Sequence, residues 1–399
     1  MQVIIVGAGP TGTTLALMLV KQGIRVKLIE AAGDFKRQFR GEGLMPTGLD
    51  ALEQMGLLEL LSDIPHQAID AWDFLLSSRS LFRVAEPIEL EGRQCTTVSQ
   101  PHLLEAIIKQ AQTYPQFEFI SGEAVGGILL TGDRVDGVKL NSGVEIKADL
   151  VIGVDGRNSL VRKKAGIDLT KFQNSIDLLW FKLDSGDYER TENVFYSIIK
   201  GKDAFGLFRA SSGQFHIGWG LHKNDEYDWK SVNWGEKLAA TSPDWLAEHI
   251  RRYQESLTNP LQLSVIVGKC DRWWKPGLLL LGDAVHPMSP IRAQGINMAF
   301  RDAIVAANHL IPILKNPQAG VSQIDRVLPL IQQEREPEIM RIQQLQAQEM
   351  GQAQLLHRSA FVRWGARTFA PIIRPGIRYS WLRRQKQMRQ GVTKVKLNF

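Results

Sequence analysis

Three glycines near the start of the chain have the spacing of a turn that binds a pyrophosphate. The segment Gly7-Ala8-Gly9-Pro10-Thr11-Gly12 matches the pattern G-x-G-x-x-G. In such a turn Gly7 permits the tight bend, Gly9 lets the backbone approach the phosphates, and Gly12 lets the following helix pack on the preceding strand. The helix that follows offers backbone amides and a partial positive charge to the phosphates. This pattern, with Thr11 inside it, predicts a dinucleotide cofactor.

Glu30 supplies the acid that such a turn requires. It lies 18 positions after Gly12, at the end of the apolar stretch Arg25–Glu30. A carboxylate there accepts hydrogen bonds from ribose hydroxyls and repels a 2′-phosphate, so an unphosphorylated ribose is favoured over NADP. These residues leave FAD and NAD as alternatives. The structural alternative is a glycine turn that only packs a helix on a sheet.

Two further segments pair a short apolar strand with an acidic turn. The first is Asp149-Leu-Val-Ile-Gly-Val-Asp-Gly-Arg-Asn-Ser-Leu-Val-Arg162, with Asp155 at its turn. The second is Gly282-Asp-Ala-Val-His-Pro-Met-Ser-Pro-Ile-Arg-Ala-Gln-Gly-Ile-Asn297, with Asp283 at its turn. As structural alternatives, Asp155 caps a turn, Arg162 is a surface residue of a helix and His286 packs within its loop.

These two segments and the glycine turn resemble the fingerprints of the FAD-dependent monooxygenases with the para-hydroxybenzoate hydroxylase fold, in order and spacing, over essentially the whole chain. The stretch from Arg40 to Leu57 and the stretch Val98–Leu104 also resemble that family. The resemblance implies that Asp283 faces the ribityl hydroxyls and that the loop Pro290–Asn297 passes the isoalloxazine ring. The remaining residues that it places on the cofactor are Arg40, Gln100, Asp155, Gly295, Ile296 and Asn297.

The resemblance also implies a reaction. NADH or NADPH would bind transiently and reduce FAD. A flavin C4a-hydroperoxide would then transfer one oxygen atom from O2 to a small-molecule substrate. The chain has no second glycine fingerprint, no C-x-x-C and no Trp-x-Trp-x-Ile-Pro. Their absence disfavours a dedicated nicotinamide domain, a disulfide reductase and a halogenase. The alternatives left open are a flavin-dependent reductase of the isoprenoid-saturating kind and a non-catalytic flavin-bound binding protein.

The loop after Asp283 departs from the family pattern, since Arg292-Ala293-Gln294-Gly295 stands where glycines are usual. Arg292 would bring a cation close to the flavin, and Ala293 is less permissive in backbone angle than glycine. We therefore name Pro290 and Arg292 as catalytic candidates. His216, in the middle of the chain, is the third.

The middle of the chain predicts an apolar substrate pocket on a separate sheet. Phe205–Arg209 and Gln214–Leu221 are predicted to form a hairpin in which Phe215, Ile217 and Trp219 share one face while His216 shares the other with Gly218. Aromatic side chains are frequent here: Trp180, Phe181, Phe195, Tyr196, Phe208, Phe215 and Trp219. As a group they favour an apolar, planar substrate, whereas any one of them is more often ordinary sheet core. Tyr196, Arg209 and His216 are the polar candidates.

The elements that position these residues indicate an α/β fold. We expect a Rossmann-like FAD-binding domain, an inserted mixed β-sheet substrate domain and a helical C-terminal region. The boundaries are 1–70, 99–175 and 265–325 for the first, 71–98 and 176–264 for the second, and 326–399 for the C-terminal helices and basic tail.

Composition narrows the setting. The chain has 399 residues, two cysteines 175 positions apart and a net charge of +6. A strand pattern from Gln2 and the scarcity of cysteine predict a cytoplasmic protein without a metal site, as a monomer or homodimer. Residues 350–399 carry eleven Lys or Arg and no Asp or Glu, so the remainder is acidic and a nucleic-acid-binding body is disfavoured.

The basic tail interleaves its charges with aromatic residues, namely Phe361, Trp364, Phe369, Tyr379 and Trp381. Two interpretations follow. The tail attaches peripherally to the cytoplasmic membrane, or its aromatic side chains pack on the two domains while the arginines stay solvated.

Overall fold

The computed structural model describes residues 1–35, 42–88, 92–172, 176–188, 190–221 and 228–399. The strands in chain order are β1 (Gln2–Val6), β2 (Arg25–Glu30), β3 (Gly43–Leu44), β4 (His66–Ala68), β5 (Ala71–Leu76), β6 (Arg79–Ala85), β7 (Thr96–Val98), β8 (Phe117–Ser121), β9 (Val125–Thr131), β10 (Arg134–Leu140), β11 (Glu145–Lys147), β12 (Leu150–Gly153), β13 (Thr170–Lys171), β14 (Asp177–Leu183), β15 (Val194–Lys200), β16 (Asp203–Arg209), β17 (Phe215–Leu221), β18 (Leu261–Leu263), β19 (Gly268–Lys269), β20 (Trp274–Lys275) and β21 (Leu278–Leu280). The helices are α1 (Pro10–Lys21), α2 (Pro46–Gln54), α3 (Gln100–Ala111), α4 (Leu160–Lys164), α5 (Trp234–Thr241), α6 (Asp244–Arg252), α7 (Gln294–Leu314), α8 (Val321–Arg358), α9 (Ala360–Thr368) and α10 (Ala370–Gln390).

The first sheet positions the glycine turn and both acidic turns. Its strand order is β20-β21-β12-β1-β2-β8, and every pair is parallel except β20 with β21. Helix α1 packs against α3 and α7, so the central strands are buried on both faces, as apolar parallel strands are. The carboxyl ends of parallel strands meet at one edge of a sheet. The turns after β1, β12 and β21 therefore lie side by side there.

The second sheet is mixed and has seven strands, in the order β18-β14-β17-β16-β15-β5-β6. Strands β5 and β15 run parallel, and the other pairs are antiparallel. The predicted hairpin is present as β16 and β17, with Phe208 opposite His216. One face of the sheet packs on α5 and α6 through Phe215, Ile217 and Trp219.

The two sheets draw on different parts of the chain. All strands of the first sheet fall within 1–70, 99–175 and 265–325, and all strands of the second fall within 71–98 and 176–264. The predicted α/β fold with an inserted mixed sheet and a helical C-terminal region is confirmed. The assignment of the two sheets to a cofactor domain and a substrate domain stays a prediction.

The C-terminal helices return to the second sheet. Helix α10 contacts β6, and the guanidinium of Arg389 donates two hydrogen bonds of 2.6 Å to the carboxylate of Glu86, with both side chains buried. Trp381 is also buried, against Trp72, Phe74 and Phe82. Helix α10 of the tail is therefore packed on the second sheet through these side chains, as the packing interpretation expects for Trp381, but its expectation that the arginines stay solvated is wrong for Arg389, which is 1% exposed and pairs with Glu86.

The chain beyond Gly391 lies across α2 and α7. The Gln54 side chain donates to the carbonyl of Val395 at 3.1 Å and accepts from the N–H of Leu397 at 2.8 Å. The Asn308 side chain donates to the carbonyl of Lys396 at 2.7 Å. These hydrogen bonds fix the last residues of the chain to helices α2 and α7. None of the described helices combines the length and apolar character needed to cross a membrane.

Candidate functional site

The glycine turn uses its three glycines for different reasons. Gly7 has φ of +108°, and a Cβ there would lie 2.6 Å from the carbonyl oxygen of Val154. A Cβ on Gly12 would lie 2.0 Å from the carbonyl oxygen of Gly7. A Cβ on Gly9 would have no described atom within 4 Å, and Gly9 lines the large cavity of the protein. Gly7 and Gly12 are thus required by packing, whereas Gly9 leaves space at the cavity wall.

Glu30 is fixed beside that turn. Its carboxylate accepts a hydrogen bond from the N–H of Ala8 at 2.8 Å and another from the N–H of Ala32 at 3.0 Å. The side chain is 8% exposed and lines the cavity. Thr11 and Gln100, the latter at the start of α3, also line the cavity. The acid and the amides of the turn therefore face one space, as the sequence predicts.

Asp155 lines the cavity and also caps α4. Its carboxylate accepts from the N–H groups of Leu160 at 2.7 Å and Val161 at 3.1 Å, and from the hydroxyl of Ser159 at 2.5 Å. Asp155 therefore caps the start of α4, as the capping alternative expects, and both of its carboxylate oxygens accept hydrogen bonds although the residue lines the cavity.

Arg162 connects the two acidic turns. It is 5% exposed, and its guanidinium donates to the carbonyl of Ala284 at 2.6 Å and to that of Arg157 at 3.3 Å. The interpretation of Arg162 as a surface residue is therefore wrong. A buried guanidinium that bridges backbone carbonyls holds the turn of Asp283 against the turn of Asp155.

Asp283 projects into the cavity from the end of β21. The surrounding protein atoms remove water from its carboxyl group, and this desolvation raises the pKa of Asp283. His286 and Arg157 oppose that increase. His286 itself is 2% exposed and is bonded to Asp302. The structure therefore places His286 in loop packing and Asp283 on the cavity wall.

The loop from Pro290 to Asn297 divides its residues between the cavity and the core. Pro290, Arg292, Gly295 and Ile296 line the cavity. Asn297 is fully buried instead. Its side chain accepts from the N–H of Met45 at 2.9 Å and donates to the carbonyl of Ala293 at 2.6 Å. Asn297 does not line the cavity; it fixes the start of α7 to the chain beside β3.

The two residues that replace the usual glycines adopt left-handed backbone angles. Arg292 has φ of 59° and Ala293 has φ of 49°, a region that costs a side-chain-bearing residue on the order of 1–3 kcal/mol. Gly43 lies opposite, because a Cβ there would be 2.8 Å from the Cβ of Ala293. The methyl group of Ala293 is thus accommodated by a glycine on the neighbouring strand.

Arg292 is held by an ion pair and three aromatic rings. Its Nε atom donates to a carboxylate oxygen of Glu349 at 2.9 Å, and its guanidinium carbon lies 5.1 Å from the ring centre of Trp72, 5.3 Å from that of Phe74 and 5.4 Å from that of Trp381. Both charged side chains are less than one-tenth exposed. The cation predicted near the flavin is therefore present on the cavity wall, paired and stacked rather than free.

One cavity of about 1600 Å³ reaches from the glycine turn to the second sheet. Eight aromatic residues line the cavity, and six of them form what we name the aromatic chamber: Trp72, Phe74, Trp180, Phe195, Phe208 and Trp381. Of the seven aromatic residues predicted for the substrate side, Trp180, Phe195 and Phe208 lie in the chamber, as do Gly218 and Gly220 of β17. The alternation along β17 is as predicted, and the face of Phe215 and Trp219 belongs to the core.

His216 lies behind the chamber wall. It is 5% exposed, its ring centre is 5.5 Å from that of Trp180 and 5.7 Å from that of Phe208, and it does not line the cavity. Burial, with a smaller effect of Lys182, lowers the pKa of His216 to about 4, so its ring is neutral near pH 7. Tyr196 and Arg209 do not line the cavity either. Arg40 lies outside the described residues.

Sequence reasoning missed the contribution of the C-terminal helices. Ile377, Trp381 and Arg384 of α10 line the cavity, and Trp72 and Phe74 of β5 complete the box around Arg292. These residues are hundreds of positions apart, and no local pattern links them. Trp381, an aromatic residue within a run of basic ones, was the single signal.

Known proteins resemble this chain over most of its length. The family described as "FAD binding domain" matches residues 1–340. The 6-methylpretetramide 4-monooxygenase of Streptomyces rimosus is 32% identical over 358 residues, which cover 87% of this chain and 83% of that protein. Rifampicin monooxygenase of Streptomyces venezuelae is 26% identical over 314 residues, which cover 75% of this chain and 62% of that protein.

The fold also matches solved structures. The crystal structure of pqsL, a probable FAD-dependent monooxygenase from Pseudomonas aeruginosa, superposes with a TM-score of 0.75 at 21% identity. The match covers 89% of this chain and 97% of that one. At this identity the likeness concerns the fold.

Proposed function

The chain belongs to the FAD binding domain family and is an FAD-dependent oxidoreductase of the monooxygenase type, and from this premise we propose its reaction and substrate class. The reaction would consume O2, NADH or NADPH and a proton, insert one oxygen atom into an apolar aromatic or polycyclic small molecule and release the other as water, with FAD, when bound, supplying the electron transfer. Two relatives act, by their names, on 6-methylpretetramide and on rifampicin, which supports a large organic substrate.

A single observation carries this proposal: one cavity contains both the residues of the glycine turn and the aromatic chamber. Its volume of about 1600 Å³ exceeds the roughly 300–1,000 Å³ of pockets that hold one small ligand. The space suits a dinucleotide and an organic substrate together. The loop of Pro290 and Arg292 lies on the same wall, so the two ligands would meet there.

The residues at the near end fit FAD. Gly9 leaves the cavity wall open where a pyrophosphate would approach, α1 presents its N-terminal amides, and the carboxylates of Glu30 and Asp283 face the cavity where hydroxyl groups need acceptors. When bound, FAD supplies the electron transfer and the activation of O2 that no protein side chain provides.

The protein's own part is to position, to stabilise charge and to exclude water. Gly295 and Ile296 of the first turn of α7 line the cavity, and a helix N-terminus stabilises nearby negative charge by about 0.3–1 kcal/mol, or more when buried. The aromatic chamber excludes water from the reacting centre. Pro290 and Arg292 are proposed to contact the ligands, whereas His216 would act on them only through the rings of Trp180 and Phe208.

The compartment and assembly remain part of the proposal. We place the protein in the cytoplasm, as a monomer or homodimer, and light scattering coupled to size-exclusion chromatography measures the latter directly. A reducing compartment is supported by the two cysteines, Cys95 and Cys270, which are both buried and form no disulfide with each other.

Oxygen labelling tests the reaction. Purified protein is incubated with NADH or NADPH under 18O2, and aromatic and polyketide-like compounds are screened for stimulated oxidation of the reductant. One labelled oxygen atom in the product supports the monooxygenase. A reduced, unlabelled product would identify a flavin-dependent reductase instead. Failure of both nicotinamides to reduce the flavin in stopped flow, with and without ligands, would leave a flavin-bound binding protein.

A further inference from the structure

The segment from Leu355 to Tyr379 exposes an unusual share of apolar surface. Fourteen large hydrophobic side chains of the described residues are exposed, and seven of them lie in this stretch of 25 residues. The exposed fractions of Phe361, Ile372 and Tyr379 are 76%, 77% and 69%. We name the following set the tail patch: Leu355, Phe361, Trp364, Phe369, Ile372 and Tyr379.

The aromatic rings of the tail patch contact one another. The ring centres of Phe361 and Trp364 are 5.8 Å apart and stacked, and those of Trp364 and Phe369 are 6.0 Å apart and edge to face. Trp364 remains 56% exposed despite these contacts. A contiguous exposed aromatic cluster on a protein surface marks an interaction site.

The charged residues of the segment that carries the tail patch all have one sign. Arg358, Arg367, Arg374 and Arg378 are exposed, and none of them has a carboxylate within ion-pairing distance among the described residues. The sequence from 350 to 399 contains no Asp or Glu that could neutralise them. The surface is therefore both apolar and cationic, which is complementary to a negatively charged bilayer.

The helices that carry the tail patch also form a wall of the cavity. Val362 and Ala366 of α9, and Ile373 and Ile377 of α10, line the cavity. Phe361 and Trp364 do not line it and point away. Helix α9 thus has one side on the cavity and carries Phe361 and Trp364 outside it, and Leu355 of the tail patch itself lines the cavity.

We propose that the tail patch docks on the surface of an anionic lipid bilayer, and that a lipophilic substrate passes from the bilayer into the cavity between α9 and α10. Aromatic side chains favour the membrane–water interface, and basic residues are attracted by anionic headgroups. A bilayer is favoured over an acidic protein because it accepts a broad array of exposed rings together with dispersed arginines. The passage of substrate rests on the proposed function, whereas docking does not.

Vesicle flotation with the full-length, FAD-loaded protein tests docking. Vesicles of phosphatidylcholine with phosphatidylglycerol are compared with vesicles of phosphatidylcholine alone, at low and high salt. We expect flotation with the anionic vesicles, and a decrease in the partition coefficient of roughly fivefold for each arginine removed in Arg367→Gln and Arg374→Gln. The double variant Phe361→Ser with Trp364→Ser should abolish flotation.

Matched variants elsewhere control for general loss of surface charge and apolarity. Leu130 is 57% exposed and Arg326 is exposed, so Leu130→Ser and Arg326→Gln should float like the unaltered protein. FAD content and circular dichroism should be unchanged in every variant, because none of the altered residues lines the cavity.

Three outcomes would overturn docking. The unaltered protein could stay at the bottom of the gradient with anionic vesicles at low salt, or the tail-patch variants could float like the controls. A dimer in solution that the Phe361→Ser and Trp364→Ser variant lacks, without flotation, would assign the patch to a second copy of this chain.

Substrate entry is tested separately. The oxidation of NADH or NADPH is measured with one lipophilic compound dissolved in vesicles and with a water-soluble analogue. In the tail-patch variants we expect slower oxidation of NADH or NADPH with the vesicle-dissolved compound and an unchanged rate with the water-soluble analogue. Equal rates would reject entry from the bilayer, whereas no stimulated oxidation by either compound in any variant, despite flotation, would reject the proposed function and leave docking intact.

Discussion

The Nε2 atom of His286 lies 2.7 Å from the Oδ2 atom of Asp302, and the backbone N–H of Gly282 donates to that same oxygen at 3.1 Å. The other oxygen of Asp302 accepts from Nε of Arg335 at 2.8 Å. One carboxylate on α7 thus connects the turn that presents Asp283, the histidine three residues after Asp283, and helix α8. Burial alone would raise the pKa of Asp302, but His286 and Arg335 outweigh it and hold that pKa at about 2.

Replacing Asp302 should destabilise the protein. In Asp302→Asn the buried Arg335 loses one of its two carboxylate partners, and breaking a buried ion pair costs about 3–5 kcal/mol. The free energy of unfolding in urea measures this loss. Glu192→Gln is the control, because its ion pair with Arg83 is exposed and such pairs contribute about 0–1 kcal/mol. Equal effects of the two substitutions would mean that the buried network adds no stability.

Stability should fall at acid pH because of the same network. Burial would raise the pKa of Glu338, but Arg335 and Arg301 hold it at about 2, as His286 and Arg335 do for Asp302. Both carboxyls titrate near pH 4 when unfolded. Their contribution is present above about pH 5 and is lost as the pH falls through about 4 to 2. Thermal unfolding between pH 7 and 3 should show a shallower decrease in Asp302→Asn.

His216 should affect stability at a higher pH. Its pKa of about 4 lies below the ordinary value of 6.5, because burial disfavours the charged ring. The unfolded chain therefore binds a proton first, and up to about 3 kcal/mol of stability is lost as the pH falls from about 6.5 to 4. His216→Leu should remove this dependence and leave turnover within about twofold. A large loss of turnover with normal FAD content would instead support a catalytic histidine.

The glycine turn predicts a yellow protein that holds FAD without a covalent bond, so acid precipitation should release the colour to the supernatant. Gly9→Val should weaken FAD binding roughly ten- to hundredfold, because side-chain atoms would occupy the space next to the phosphates and a charged hydrogen bond is worth about 1.5–3 kcal/mol. Flavin titration measures the dissociation constant.

The control for this variant is Gly127→Val. A Cβ at Gly127 would meet a described atom only at 4.0 Å, and the residue does not line the cavity. Normal FAD affinity in Gly9→Val would contradict our placement of the pyrophosphate.

Arg292 should couple the use of the reductant to oxygenation. In Arg292→Ala the carboxylate of Glu349 loses its 2.9 Å partner and the box of Trp72, Phe74 and Trp381 loses its cation. We expect more hydrogen peroxide per NADH or NADPH oxidised, and a change in FAD affinity of less than about threefold. Arg292→Lys keeps the charge but not the planar stacking, and should restore coupling in part.

Peroxide yield and product yield are measured together for both variants. If Arg292→Ala changes neither the coupling nor the substrate affinity, Arg292 has only a structural role in its ion pair with Glu349. A double variant with Glu349→Gln separates the two effects, since it also removes the negative charge that has lost its nearest cation, with Gln385 and Arg384 still beside it.

The sequence by itself determined the chemistry of the near end of the cavity. A turn that combines Gly7, Gly9 and Gly12 with Glu30 depends on steric needs and strand ends that are encoded within about 30 residues. The parallel order of β1, β12 and β21 then follows from short apolar strands, and it brings Asp155 and Asp283 to the same edge. Alternation along β17 likewise gave its two faces correctly.

Tertiary structure alone decided which face of the second sheet meets the cavity and which residues close its far end. Phe215 and Trp219 pack on α5 and α6, while Trp180 and Phe208 face the cavity and cover His216. Alternation gives two faces but does not say which one a helix covers. Asn297 lies in the loop motif that the sequence assigns to the cofactor, yet its side chain is buried and bonded to Met45 and Gly43. These partners are some 250 positions away in the chain, so the sequence motif gave no sign of this role.

The C-terminal wall is the clearest such case. Arg389 reaches Glu86 across 303 positions, and Trp381 meets Trp72 and Arg292 in the same chamber. Packing between distant segments depends on shape and on the pairing of buried charges, and neither leaves a periodic trace in the chain. The local sequence therefore specified the glycine turn and the acidic side chains at the edge of the first sheet, and the long-range fold specified the shape of the space beside them.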